Sequence, residues 1–548
     1  MRVWRYNFIL VLFGLLCLVV AARLLMLGTL ESVDLQSRGD DRALRAVEIP
    51  AQRGRVYDRA GEVLADNLDV YDVWVDPSDG RLSEEVVERL SDSLDLGTDL
   101  PSRIARNRVK RFLYLKRQVE PKVVARLREF ERYGVQFSPI QKRFYPLGEA
   151  TSHVVGILNI DGVAQEGVEL AYDARLRGTP GRMQVQRDGK GRMVRQVSAS
   201  TPAQQGNSLH LTLDSRLQLL ALRELKALTE RFDIAVASLI AIDPTSGGVR
   251  VMLNQPSYDP NDRSELKVLS LRNRAVTDVY EPGLVLAPFT LIAALESGKF
   301  QPDSTIDTTP GLIKIGRYEI TDSVNHGVLS FDQLLQSHSN VALTKIAQVL
   351  PLSALHNTLR KVGIGVVPES GLPGEVPGMV DDPGTNPTDS ERILEQTGMA
   401  RGYGLNATLL HLTAAYTVLA KGGVRIPVTT DNGMPPQGER VFSAPSVKAV
   451  LAQLEITESS RWKAARVPGY RVAGLGSVSD IAVSGGYSKE DRNVFFLGLA
   501  PIAEPKLVVG LIANRVPVAN LAGVAEAVGA VFAQFMNGAL PLMGTGVR

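Results

Sequence analysis

Cysteine is almost absent from this 548-residue chain, where Cys17 stands alone. A disulfide within the chain is therefore impossible, and so is a zinc site built from several thiolates. Histidine is scarce too. His153, His210, His326, His338, His356 and His411 are scattered, with no HExxH and no close pair, so neither a metal nor another cofactor is indicated. An excess of one charge is also missing. The 61 Lys+Arg against 59 Asp+Glu leave a net charge of +2, which offers no case for a nucleic-acid partner. With 22% charged and 44% hydrophobic residues, the composition is that of a globular protein and excludes a wholly disordered chain. No internal repeat is visible. The length suggests roughly three or four units, or two large ones.

What is present begins with a long apolar run. Residues 8–22 read FILVLFGLLCLVVAA without a charge; Arg23 follows, and the run resumes to Leu30. About twenty apolar residues span a bilayer as a helix, and Arg23 lies late enough to snorkel to the far interface. A cleaved signal peptide would need a shorter core and a small-x-small site; Ala21-Ala22 before Arg23 is a poor one. The expectation is an uncleaved transmembrane helix over 8–30. Arg2 and Arg5 precede it, and Glu31 and Asp34 follow. By the positive-inside rule residues 1–7 form a cytoplasmic tail and the bulk is exported. The exported part has no cysteine, which suits an oxidising periplasm.

Residues 47–67 read as a strand, a turn at Arg59-Ala60-Gly61 and a second strand. Residues 82–94 and 123–133 carry helical periodicity. RDGKGR at 187–192 signals a hairpin. The character changes near 205: a strand at 209–214 enters a helix at 215–232, and 236–253 forms a β-hairpin. Apolar helices at 289–298 and 407–423 follow, then strands at 494–501 and 506–515. Strands at both ends with helices between suggest one large α+β domain whose sheet mixes its first and last segments.

Several segments carry a family resemblance. RGRVYDRAGEVLA (53–65), FYPLGEATSHVVG (144–156), QEGVELAYD (165–173), RNRAVTDVYEPG (272–283), SNVALTKIA (339–347), RGYGLNATLLHLTAAYTVLAKGG (401–423) and VPGYRVAG (467–474) resemble class B penicillin-binding proteins. They are most similar to the septal D,D-transpeptidase of cell division. The resemblance spans nearly the whole chain, in the family's order. It implies an α+β protein of the bacterial inner membrane with a single N-terminal transmembrane helix. An elongated pedestal, or dimerisation-type, domain follows over 45–205, then a connecting strand and helix over 206–232. A transpeptidase-like domain with a central antiparallel sheet occupies 233–540. Implied partners are septal wall-synthesis membrane proteins and peptidoglycan itself.

That family's chemistry needs a serine nucleophile with a lysine one helical turn on (SxxK), an SxN triplet, a KTG strand and two backbone oxyanion donors. After VYEPG this chain reads Leu284-Val285-Leu286-Ala287, so Leu284 takes the nucleophile position and Ala287 that of the base. Leu284 is expected to begin a helix at the cleft floor, with Ala287 one turn on, facing Asn340 and the strand holding Leu475. The SxN triplet aligns with His338-Ser339-Asn340, and K-T-G-T with Leu475-Gly476-Ser477-Val478. Leucine offers no nucleophile and alanine no proton acceptor; the loss of one member of a catalytic unit can cost about a million-fold in turnover. Three apolar residues, Leu284, Leu286 and Leu475, should line the floor. No catalytic residue is expected.

Rival sites read more plainly as structure. The two other S-x-x-K matches, at Ser264–Lys267 and Ser460–Lys463, are expected in exposed helix or loop. His338 is expected to line or pack the cleft, Asn340 to keep a structural hydrogen bond, Tyr403 and Gly404 to shape the rim, and Lys345 to lie on a helix surface. Ser477 and Ser479 lack a nearby base in sequence and read as strand-face serines. Three functional classes follow: a non-catalytic scaffold or regulator of septal wall synthesis, an active transpeptidase with a rearranged site, or a non-covalent module for peptidoglycan stems or β-lactams. The missing SxxK opposes the second and the missing KTG side chains oppose the third, which favours the first.

Overall fold

Twenty-eight residues, Arg2–Thr29, form one N-terminal helix, and an 18-residue stretch within Val3–Thr29 has a mean hydropathy of 2.8 with none of it buried. The computed structural model describes residues 2–29, 44–187, 193–196, 201–264, 266–316, 318–382, 388–434 and 436–546. Leu30 and the turn expected at 188–192 lie outside these.

The chain divides into two compact units. One comprises 1–54 and 174–207. Besides the N-terminal helix it holds an antiparallel sheet of Leu44–Ile49, Gly181–Arg187 and Met193–Gln196, with Leu44 opposite Gln186 and Ile49 opposite Gly181. The pedestal span expected at 45–205 is thus shared between the two units.

The other unit comprises 55–173 and 208–548. Its first part is a head built on the strand Val63–Val75, which pairs antiparallel with Val135–Phe144 and Leu113–Val119. The helix Glu84–Leu94 starts at the Ser83 cap, whose hydroxyl accepts from Val86 N, and ends where Asp95 turns left-handed. Val86, Leu90 and Leu94, at helical spacing, bury its inner face against Val73, Leu127 and Phe130. The second expected helix is mixed: α-helical over Pro121–Leu127, then 3-10 over Arg128–Tyr133, and stopped by Gly134 at φ 93°.

The larger part is organised by a five-stranded antiparallel sheet: β1 (Val236–Ile242), β2 (Val249–Gln255), β3 (Ala473–Val483), β4 (Gly486–Ala500) and β5 (Leu507–Pro517), in the order β2-β1-β5-β4-β3. One row across it runs Met252, Ile240, Gly510, Leu497, Leu475. First and last segments meet in the middle, as the strand pattern implied. Val494–Ala500 is buried at every position, because both faces are covered. On one face lie the helices Ser215–Phe232 and Leu521–Leu542, with Phe496 against Trp462 and Phe532. On the other, the helix Leu409–Ala420 sits so close that a Cβ at Gly510 would collide with Thr413 Oγ1. The segment Val518–Leu542 also has membrane length and apolarity, but Val524, Val528, Phe532 and Phe535 are buried on the sheet, which makes it a core helix.

One buried ion pair supports the first part. Arg143 Nε donates to Glu169 Oε1 at 2.6 Å and its Nη1 to Asn67 Oδ1 at 2.9 Å, with 2% and 0% of the charged side chains exposed. Removing one member leaves a buried charge uncompensated. Glu169→Ala should destabilise this unit by about 3–5 kcal/mol, read as a lower urea midpoint for the full chain in detergent; an unchanged midpoint would refute the assignment.

Candidate functional site

The segment 280–286 is fastened from below by backbone groups. Tyr280 and Ala407 exchange N–H···O bonds of 3.0 Å, and Gly283 N donates to Gly402 O at 3.0 Å. A Cβ at Gly402 would strike the Gly283 carbonyl, so only glycine fits there. Tyr416, fully buried, donates its hydroxyl to Val285 O at 2.7 Å. Leu284 was expected to open a helix. It lies instead in a 3-10 turn, Gly283–Leu286, and Ala287 is the first residue of the α-helix Ala287–Glu296. Pro288 explains this: it has no N–H for the Leu284 carbonyl four residues back, which Ala287 N takes in an i→i+3 bond.

Strand β3 faces this turn. Its alternation puts Leu475, Ser477 and Ser479 on the same side and turns Gly476 to the other, where a Cβ would collide with the Trp462 ring. Ser477 Oγ accepts the Leu284 N–H at 3.0 Å. A Cβ at Gly283, which has φ +63°, would stand 2.6 Å from that same oxygen. Ser479 Oγ is buried with no hydrogen-bond partner among the described residues. Leu475, Ser477 and Ala287 are all buried, and Leu284 is half-buried.

The remaining pair sits at a helix junction. His338 closes the helix Leu334–Ser337 in the left-handed region, φ 54°, and Asn340 opens the helix Asn340–Val349. Ser339 between them caps that helix through Ala342 N at 2.9 Å and donates to Asp322. Asn340 Nδ2 donates to Thr321 O at 3.5 Å. Among the described residues no hydrogen bond or ion pair joins His338 or Asn340 to Leu284, Ala287 or β3. Burial pushes the His338 imidazole down to about 4, and the Arg461 charge adds to this.

The rival positions are structural in character. Ser264 Oγ donates to Asp262 at 2.7 Å. Ser460 is buried, contrary to its expected exposure, because its hydroxyl closes a turn by accepting Thr457 N at 3.0 Å. Lys345 Nζ donates to Asp307 O.

Glu281 and Tyr487, beside Tyr403 and Gly404, went unread in the sequence. Glu281 of the EPG turn accepts Gly404 N at 2.9 Å, and the Tyr403 and Tyr487 rings meet edge-on at 6.3 Å. Burial raises the Tyr403 hydroxyl to about 12. Beside it opens a cavity of 640 Å³ lined by Tyr280, Glu281, Gly404, Asp480, Asn493 and Arg515 among others. None of Leu284, Ala287, His338, Asn340 and Leu475 lines it. The EPG turn alone could have flagged Glu281.

A head over a five-stranded antiparallel sheet, with a glycine-fastened turn against its edge strand, defines a penicillin-binding-protein type of architecture. Residues 237–537 match the penicillin binding protein transpeptidase domain, and residues 48–211 match the penicillin-binding protein dimerisation domain. The chain is 32% identical to the probable peptidoglycan D,D-transpeptidase PbpC of Pseudomonas aeruginosa, over 93% of this chain and 90% of that one. It is 32% identical to the peptidoglycan D,D-transpeptidase FtsI of Escherichia coli K12, over 98% and 92%. Penicillin binding protein 3 of Mycobacterium tuberculosis, solved with aztreonam, shares the fold with a TM-score of 0.70 at 22% identity, covering 92% of this chain and 98% of that one. The chain belongs to the class B penicillin-binding protein family.

The depressed His338 predicts a pH dependence. Its folded value, about 4, lies below the ordinary 6.5, so the unfolded chain binds the extra proton between them. Stability is then lost as pH falls through 6.5 towards 4, and the penalty is complete below that. Buried His153, also pushed down to about 4, adds the same sign. His338→Asn, which tolerates the left-handed backbone, should flatten this acid limb in unfolding curves measured from pH 7 to 4; an unchanged slope would sink the assignment.

Proposed function

We propose that this chain is a catalytically inactive member of its family, a scaffold or regulator in septal peptidoglycan synthesis. We further propose that its N-terminal helix anchors it in the inner membrane, with residues 1–7 cytoplasmic and the bulk periplasmic. The domain scheme is a pedestal over 45–205, a connector over 206–232 and a transpeptidase-like domain over 233–540. Its partners are septal division membrane proteins and peptidoglycan.

One observation carries the inactive reading. Leu284 stands where the family's serine would stand, Ala287 where its base would, and the Leu284 N–H is donated to Ser477 Oγ. A nucleophile's own backbone N–H is a natural oxyanion donor in serine acyl transfer. Here that donor is taken by a hydroxyl at the position of the family's strand glycine. Nucleophile, base and oxyanion donor are lost together, while the backbone fastening that shapes the turn remains.

The test is intact-protein mass spectrometry after incubation with a β-lactam. The native chain should show no adduct. Leu284→Ser lacks a base and should show none either. Leu284→Ser with Ala287→Lys regains nucleophile and base but not the N–H or the strand lysine, so acylation should be weak at best. Adding Ser477→Gly frees the N–H and should raise acylation over that double variant by roughly 10²-fold, the usual worth of an oxyanion donor. A stoichiometric adduct on the native chain would overturn the reading and favour a rearranged, active transpeptidase.

Orientation has its own check. Reporter fusions after residue 45 should be active only in the periplasm, and a mature N-terminus beginning after Ala22 would refute the anchor.

A further inference from the structure

A second surface lies in the head, on the link between the helix Leu100–Arg106 and the strand Leu113–Val119. From Leu100 to Val119 there is no acidic residue and there are seven basic ones. Four of these are engaged. Arg103 donates to Tyr114 O, Arg106 pairs with Asp99, Lys116 donates to Leu94 O, and Arg117 bridges Asp72 and Asp161. The other three, Arg108, Lys110 and Arg111, are exposed and make no side-chain hydrogen bond or ion pair among the described residues. Three unpaired cations in so short a link repel one another unless an anion lies between them.

Aromatic rings stand beside them. Phe112 lies 4.8 Å from Trp74 and 4.6 Å from Tyr114, centroid to centroid. Phe112 is 44% exposed and Tyr114 39%. Trp74 is held from behind, its Nε1 donating to Ser138 Oγ at 2.9 Å. Tyr114 meets Phe112 edge-on and carries the Arg117 guanidinium over its ring at 4.8 Å, so Phe112 is the ring that stands open. A half-exposed ring next to free guanidinium and ammonium groups suits a ligand with flat C–H faces and carboxylates. Sugar rings lie on aromatic faces, and carboxylates take charge-assisted bonds from arginine and lysine.

Resting on the peptidoglycan partnership proposed above, we propose that this head binds a carboxylate-bearing glycan strand, with a sugar face on Phe112 and carboxylates on Arg108, Lys110 and Arg111. A lipid surface fits less well. Val109, 91% exposed, is the one aliphatic side chain at the tip that could insert, whereas the rings form a row along the surface. The site is separate from the cleft and uses none of its residues.

The experiment is co-sedimentation of the full chain, in detergent, with purified peptidoglycan sacculi as the glycan probe. Binding should weaken sharply between 0.1 and 1 M salt, as screening shortens from about 10 to 3 Å. The triple variant R108E/K110E/R111E should lose at least about tenfold in affinity, and Phe112→Ala about threefold, both with an unchanged unfolding midpoint. Sedimentation of the triple variant like the native chain would overturn the proposal. So would loss of binding to anionic vesicles with binding to sacculi intact, which would make the link a membrane contact. A β-lactam adduct in the acylation test would overturn the inactive reading and leave this surface standing.

Discussion

Everything in the larger part of the molecule depends on a sheet that must be covered on both faces. Val494–Ala500 has no exposed position, so successive side chains, Phe495 and Phe496, each need their own apolar layer. Phe496 finds Trp462 and Phe532, and Phe495 finds Tyr280. Each large apolar side chain buried this way contributes about 1.5–3 kcal/mol. The second layer brings the segment before Leu284 onto the sheet, so a requirement of the core also sets the position of the candidate site.

The fastening of that site is made almost entirely of backbone. Tyr280 to Ala407, Gly283 to Gly402 and Tyr416 to the Val285 carbonyl hold the turn without using the side chain of Leu284 or Ala287. The shape of the turn therefore does not depend on which side chains stand at Leu284 and Ala287. Ala287 is buried and Leu284 half-buried, and that burial adds to stability. A serine and a lysine there would each carry a polar group that must find partners in low dielectric. Ser477 supplies what the turn would otherwise lack, an acceptor for a partly buried N–H.

Much of this was legible beforehand. The helix at 215–232, the hairpin at 236–253 and the final strands follow from period and turn chemistry, because local pattern and tertiary burial agree there. The 3-10 turn at Gly283–Leu286 was misread as helix because the deciding factor, the missing N–H of Pro288, acts four residues upstream of the proline. The burial of Ser460 was missed because its neighbours are charged, while its hydroxyl faces inward to close a turn.

The sequence by itself determined the anchor-length apolar helix, the α+β class and the family. Those depend on composition, on short-range spacing and on segments kept in order. Only the tertiary structure decided what Ser477 does. In the strand it is one of two serines, and 193 residues separate it from Leu284. The bond between them exists because the edge strand and the turn are both held against the same core, a proximity that no local pattern encodes. The same holds for Trp74 and Phe112, whose rings meet only when two distant segments come together through strand pairing.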